Sequence, residues 1–598
     1  MNSEYEDSSA LSPVESGDEE EEEEVSEAET EQLGSSSDSD EDESEEKIDE
    51  AAAAGDENGE KIDEAAAAGD ENGEKIDEAE WTSKNGKISW SPTNAETFRY
   101  IPAATGLTPG PTRYATARIV DPISSFALFL TDEIVKHIVS MTNLHGNRKI
   151  PGWRDIDAEE FRAYVGLLVL SGVYRSKHES TLSLWSEKWG RSIFRATMSE
   201  KRFQNINRAL RFDDKLSRPP RRLDKMAPFR KVWNMWTHRL EMLFSPDRDL
   251  CVDEQLVAFK GRCSFRQYMP KKPAKYGIKI WAACDVKTSY AWRLQVYTGK
   301  AAPDRVEVNQ GMRVVLDMTE GLQGHVVTCD NFFTSCALAD ELLKRKMALV
   351  GTIRQNKPEL PPHLLQAKKR EIFSSIFAFT NTHTLVSYIP RRGKNVLLLS
   401  TKHRRPDVSK EGKRKPVIIE DYNKCKGGVD NLDMVVGTYS CRRRTNYWPL
   451  ALFHNVLDVS LYNAYVLWTS IESSWQKQKG YRRRLFIEEV GEMLVNPHIA
   501  KRERLPRSSA AAAVVTSVNT AAAAAWTAPI IQCKSRRQCE LCKDKRRRVV
   551  NTCCKSQRFK ELGDFNNLVP GDPDLWCAEE VQIWPMVRSW GEANGRPV

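Results

Sequence analysis

The 598-residue sequence lacks any long apolar run. Its best apolar stretches, such as "VGLLVL" at 165–170, fall far short of the ~18 residues that a membrane span needs. The first residues are acids and serines, with no apolar signal core, so an intracellular, reducing setting is expected. There the 13 cysteines serve as thiols or metal ligands rather than disulfides. Residues 1–80 are short of basic side chains, with three lysines against 34 acids, and carry −31. They are also nearly devoid of aromatics and cannot bury a core, so disorder is expected. "KIDEA" recurs at 47, 61 and 75, too few copies for a solenoid. An arm of this charge suits competition with DNA, and phosphorylation of the serines in "SSSDSDEDESEE" would add to it.

Against the whole-chain charge of +4, residues 81–598 carry +35. A body this basic implies a polyanionic partner, usually nucleic acid. Order is expected from about Ile123. "SFALFLTDEIVKHIVSMTN", "DAEEFRAYVGLLVLSGVY" and "KVWNMWTHRLEMLF" follow helical periodicity. In the second of these, Asp157 and Glu160 have capping-box spacing. From 250 the pattern turns to strands. "LCVDEQLVAF" is followed by a hairpin, "IKIWAACD" and "YAWRLQVY" around "VKTS". "HVVTCD", a helix in "CALADELLKRK" and a strand in "ALVGTI" complete a mixed α/β sheet. Residues 357–412 read as an insertion. "YWPLALFHNVLDVSLYNAYVLW" reads as a long helix with Pro449 in its first turn.

Three acids stand out. Asp253 lies within the first strand and Asp330 closes a later one. Asp430 follows Gly427-Gly428 on a helix that also carries Asp433. Carboxylates brought together repel one another and are tolerated when cations bind them. Hard oxygen ligands suit Mg²⁺ or Mn²⁺, and two such ions support phosphoryl transfer. Spacing alone leaves open that these are unrelated surface acids.

The stretches "DEQLVAFKGRCSFRQYMPKKPAKYGIKIW", "TCDNFFTS", "VGTIRQNKPELPP" and "YNKCKGGVDNLDMVVGTYSCRRRTNYWP" resemble the piggyBac family of DDE/D DNA transposases and the genes derived from them. The resemblance runs from about 120 to 505. It implies an RNase H-like catalytic core split by an insertion and flanked by helical DNA-binding and dimerisation segments. It implies two Mg²⁺ or Mn²⁺ ions on Asp253, Asp330 and Asp430, with Asp433 in support. Cys425 stands where the family pattern has Thr. The implied chemistry is nicking by activated water, hairpin formation by the freed 3′-hydroxyl, hairpin opening and joining at TTAA. No protein nucleophile is required, and His325 reads as structural. The implied partners are double-stranded DNA, as transposon ends and TTAA target, and a second copy of the chain. No membrane or small-molecule substrate is expected. The alternative is a transposase-derived DNA-binding or chromatin protein without transposition activity.

Basic clusters flank the acids: Lys271, Lys272, Lys275 and Lys279, then Arg354 and Lys357, then Arg442, Arg443 and Arg444 beside Tyr447 and Trp448. Phosphate neutralisation explains such clusters and predicts steep salt dependence. The resemblance places DNA contacts at Arg354 and Lys357. The easily unstacked TA step offers a physical reason for a TTAA preference.

Cys539 and Cys542 have the spacing of a zinc half-site. The resemblance implies a two-zinc C-terminal domain, but Cys553 and Cys554 are adjacent and no His follows His498. One Zn²⁺ on Cys539, Cys542, Cys553 and either Cys554 or Cys533 is the remaining zinc reading. "KDKRRR" at 543–548 is a candidate nuclear-import signal, so the nucleus is expected. The expected organisation is an acidic disordered region at 1–119, a helical part at 120–248 and the catalytic domain at 249–440. A second helical part at 441–505, an Ala-rich linker at 506–530 and a Cys-containing tail at 531–598 follow.

Overall fold

The computed structural model describes residues 80–94, 108–299 and 307–527, apart from positions 222, 271, 367, 369 and 411. The acidic repeat, Lys271 and the Cys539, Cys542, Cys553 and Cys554 tail lie outside the described residues. The seven described cysteines are all free thiols, and no described helix is long and apolar enough to cross a membrane.

Helix α1 (Asp132–Lys149) starts at Thr131, whose hydroxyl accepts the Ile134 N–H. Helix α2 (Ala158–Val173) starts at Asp157, whose carboxylate accepts the Glu160 N–H at 2.7 Å. The reciprocal bond of a capping box is not made. Glu160 is buried and its carboxylate is taken by Arg202 at 2.7 Å, a charge-assisted bond that wins over a neutral backbone N–H. Helix α2 is apolar almost all round and buried accordingly.

Helix α3 (Arg230–Leu243) closes the first helical part. The sheet follows: β1 (Asp249–Ala258), β2 (Tyr276–Asp285), β3 (Ala291–Val296), helix α4 (Gln310–Met318), β4 (Val326–Cys329), helix α5 (Cys336–Lys344) and β5 (Ala348–Thr352). Three more strands, β6 (Ser375–Phe379), β7 (Thr384–Arg391) and β8 (Lys394–Ser400), lead to helices α6 (Val417–Cys425) and α7 (Gly428–Thr438). The order across the sheet is β6-β7-β8-β5-β4-β1-β2-β3. Strand β4 runs parallel to both β1 and β5, and the other pairings are antiparallel. This is the expected mixed sheet.

Helix α8 (Trp448–Ile471), α9 (Arg482–Ala500) and α10 (Ser509–Thr527) complete the described chain. Helix α9 packs against α2, and the Trp236 indole of α3 donates to the Ser460 hydroxyl of α8 at 2.9 Å. The two helical parts, distant in sequence, therefore form one body.

Three expectations change. The 357–412 segment, read as an insertion, does more than interrupt the domain: β8 pairs with β5, so its strands widen the same sheet. The unpaired edge of β5 supplies the hydrogen bonds that draw them in. Order begins well before Ile123. Residues 80–94 form a small hairpin, Trp81–Thr82 against Ser89–Trp90, that docks on the 355–363 loop. Its anchor is Trp90, fully buried, with its indole N–H on the Glu359 carbonyl at 2.9 Å. The Ala-rich stretch is helix α10 rather than a linker. Alanine is the best helix former, and Ala511 and Val515, one turn apart, are buried against the helical body.

Helix α7 lies on β1 with almost no clearance. A Cβ at Gly428 would stand 2.7 Å from the Cys251 Cβ, whereas one at Gly427 would meet nothing within 4 Å. The Cys251 thiol donates to the Lys426 carbonyl at 3.1 Å at the same contact. Gly428→Ala is therefore expected to destabilise the protein by roughly 1–3 kcal/mol by lifting α7 from the sheet, and Gly427→Ala to be tolerated. Denaturant melts of the two variants check this.

Candidate active site

The register of β1 and β4 builds the centre. Val252 lies beside Cys329 on these parallel strands, so the next residues, Asp253 and Asp330, stand at the same level on neighbouring strands. Alternation along β1 puts Cys251, Asp253 and Gln255 on one face. That is the face α7 covers, because Cys251 meets Lys426 and Gln255 meets Asp433. Helix α7 thereby brings Asp430 and Asp433, one turn apart, to the strand acids. The Cys425 thiol, where Thr was the pattern, is buried and interacts with Thr328 under the same helix pair.

Burial dominates the electrostatics. It pushes Asp253 up to about 7; the negative charges of Glu254 and Asp330 add to the rise, while the Glu254 N–H, at 2.8 Å, opposes it. Asp433 is pushed up to about 6 by burial, against the Gln255 amide that donates to it at 2.7 Å. Asp330 is also raised, first by burial. The Phe332 N–H at 2.8 Å and the cations Arg354 and Lys279 pull the other way. Carboxylates held above their usual range by burial, side by side, are the mark of a candidate functional site rather than of one selected for stability.

Hard, crowded and partly desolvated oxygens fit Mg²⁺ or Mn²⁺ as a donor set. Among the described residues, however, no three His, Cys, Asp or Glu side chains already stand together as a ligand shell. Asp430 is turned outward, its side chain 68% exposed, and is paired with the Lys272 ammonium at 3.3 Å. Asp253, Asp330 and Asp430 are the residues that would hold such an ion.

The basic residues divide. Arg354, exposed just beyond β5, donates to the Asn331 side chain at 3.2 Å and so stands beside Asp330. Lys357 closes the same turn, its N–H on the Arg354 carbonyl at 3.2 Å. Lys272 and Lys275 share the loop that leaves β1, with Lys275 exposed. Arg443 is committed to the protein, donating to the Ser176 and Glu179 carbonyls at 2.6 and 2.5 Å, and burial lowers its pKa. Arg442 is similarly lowered by burial and faces Asp458. These two tie the segment before α8 to the helical body, while Arg444 is exposed. His325 and Asp330 bracket β4 at opposite ends, and burial keeps His325 lowered.

Sequence reasoning missed Gln255 and Asn455. The Asn455 amide of α8 donates to the Gln255 carbonyl oxygen at 3.1 Å, which turns the Gln255 NH₂ toward Asp433. Strand alternation from Asp253 could have flagged Gln255; nothing in the sequence pointed to Asn455.

A carboxyl whose folded pKa is raised stabilises the protein below its unfolded value, near 3.8, and loses that contribution as pH rises through the folded value, about 7 for Asp253. The metal-free protein is therefore expected to lose stability between about pH 4 and 7. Asp253→Asn should flatten that slope and stabilise the protein at pH 8 by roughly 1–3 kcal/mol. Melts in chelator across that range check it.

Comparison with known proteins identifies the family. A family model described as Transposase IS4 matches residues 121–465. The human piggyBac transposable element-derived protein 3 is 26% identical over 385 residues, covering 61% of this chain and 64% of that protein. The human piggyBac transposable element-derived protein 2 is 23% identical over 376 residues, covering 58% and 61%. The chain thus spans under two thirds of the length of these curated relatives. Among solved structures, a piggyBac transposase in a synaptic complex with hairpin DNA matches with a TM-score of 0.65 and 32% identity. That match covers 75% of this chain and 98% of the other. On the family model that matches residues 121–465 and the solved structure that it resembles at 32% identity, the chain belongs to the piggyBac-type transposases of the Transposase IS4 family.

Proposed function

We propose that the protein is a cut-and-paste DNA transposase that works in the nucleus as a homodimer and joins DNA at TTAA. The observation that carries this reading is the placement of Asp253 and Asp330 at one level on adjacent parallel strands, with Asp433 brought to the same face by α7, the helix that also carries Asp430. Two divalent ions held there would activate the attacking oxygen and stabilise the leaving one. Gln255, locked by Asn455, holds Asp433 in place. Arg354 and Lys357 stand where they can take the phosphates on either side of the scissile bond, and Asn331 orients Arg354. The Phe332 N–H fixes one oxygen of the Asp330 carboxylate, which leaves the other to act as a ligand. No side chain acts as a nucleophile. Water attacks first, and the liberated 3′-hydroxyl then attacks the opposite strand to close a hairpin. The hairpin DNA bound by the solved piggyBac transposase supports that step for this chain.

The test is cleavage of a duplex carrying a candidate transposon end next to TTAA, with Mg²⁺ or Mn²⁺ and with chelator. Metal-dependent nicking followed by hairpin formation is expected from the natural chain, falling to background in Asp330→Asn. Cleavage untouched by that substitution would refute the assignment. Tight DNA binding without cleavage under either metal would make the protein a transposase-derived DNA-binding protein.

A further inference from the structure

The acidic centre already holds a cation, and it belongs to the chain. The Lys272 ammonium donates to the Glu254 carbonyl on β1 at 3.0 Å and to the Asp430 carboxylate on α7 at 3.3 Å. It thus bridges the strand that carries Asp253 to the helix that carries Asp430. Its side chain is 21% exposed although Asp430 is 68% exposed, so the lysine reaches inward while the acid turns out to meet it. Asp433 and Asp253 also act on this ammonium electrostatically.

The loop is built for this reach. Lys272 lies between Pro270 and Pro273, which fix the backbone on either side, and its N–H closes a turn on the Met269 carbonyl at 3.1 Å. From this turn the long Lys272 stem carries one positive charge inward.

We propose that Lys272 is an internal counterion of the metal-free site, and that a divalent ion binds by displacing its ammonium from Asp430. The inference rests on the metal-dependent reading above. Lys272 lowers the repulsion among Asp253, Asp430 and Asp433 when no metal is bound, and its attraction to Asp430 is the cost a metal ion must overcome. Once displaced, the ammonium faces the cleft, where a DNA phosphate can accept it. Metal and DNA binding would then favour each other through this one side chain, and such coupling is reciprocal.

The test is Mn²⁺ titration of the full chain without DNA, read by electron paramagnetic resonance of the free ion. Lys272→Gln is expected to tighten Mn²⁺ binding roughly tenfold or more, because a unit charge ~4 Å away acts strongly on a divalent ion. Lys272→Arg keeps the charge and should bind as the natural chain does. Asp330→Asn, alone and with Lys272→Gln, should weaken binding and so place the ion at this centre. Circular dichroism melts check that each variant is folded; if Lys272→Gln does not fold, Lys272→Met takes its place. Equal or weaker Mn²⁺ binding in a folded neutral variant, with Asp330→Asn still harmful, overturns the Lys272 inference alone. Absence of Mn²⁺ binding throughout, or indifference to Asp330→Asn, overturns the two-ion reading and takes this inference with it.

Discussion

The burial of carboxylates held at one level on adjacent strands is the constraint on which the rest of this structure depends. Asp253 and Asp330 cannot separate, because the parallel register of β1 and β4 is set by a ladder of buried residues around them. Nor can they be well solvated, because α7 and its acids cover the same face. The cost is borne by the surrounding packing, with the buried runs of β1, β2 and β4 on the sheet side and α6 and α7 on the other. A site that opposes its own fold in this way is a candidate for cation binding, which would offset the cost that burial imposes.

Several features follow from that need. Gly428 is where α7 must come closest to the sheet, and a side chain there would hold Asp430 and Asp433 away from β1. The Asn455–Gln255–Asp433 chain ties the acid on α7 to the long helix α8, so the second helical part helps set the position of a site residue. Lys272 offsets part of the negative charge from a third direction. Three separate segments thus converge on the acids, and each does so through a contact that is specific in distance and partner.

The wider sheet has its own consequence. Because β8 pairs with β5, the strands that look inserted in sequence stiffen the edge from which Arg354 and Lys357 project. The hairpin of residues 80–94 clamps the far end of the same loop through Trp90 and the Lys84 contacts to Gln355 and Leu360. Two cationic side chains on a loop would ordinarily be mobile. Here the loop is held on both sides, which limits where the two side chains can project.

Local patterns in the sequence determined much of this protein. Alternation in "YAWRLQVY" marked the hairpin, Asp157 marked the start of α2, and the motif-bearing stretches marked the acids and the family. These are signals carried within a few residues, where backbone geometry and side-chain spacing are coupled directly. Only the tertiary structure decided that Arg443 binds protein carbonyls, that β6 to β8 join the main sheet, and that the Ala-rich segment is a packed helix. It alone turned Lys272 toward Asp430 and joined Asn455 to Gln255, 200 positions apart. A side chain's partner depends on which distant segment packs against it, and that is settled by burial of the whole core rather than by the residues next to it in the chain.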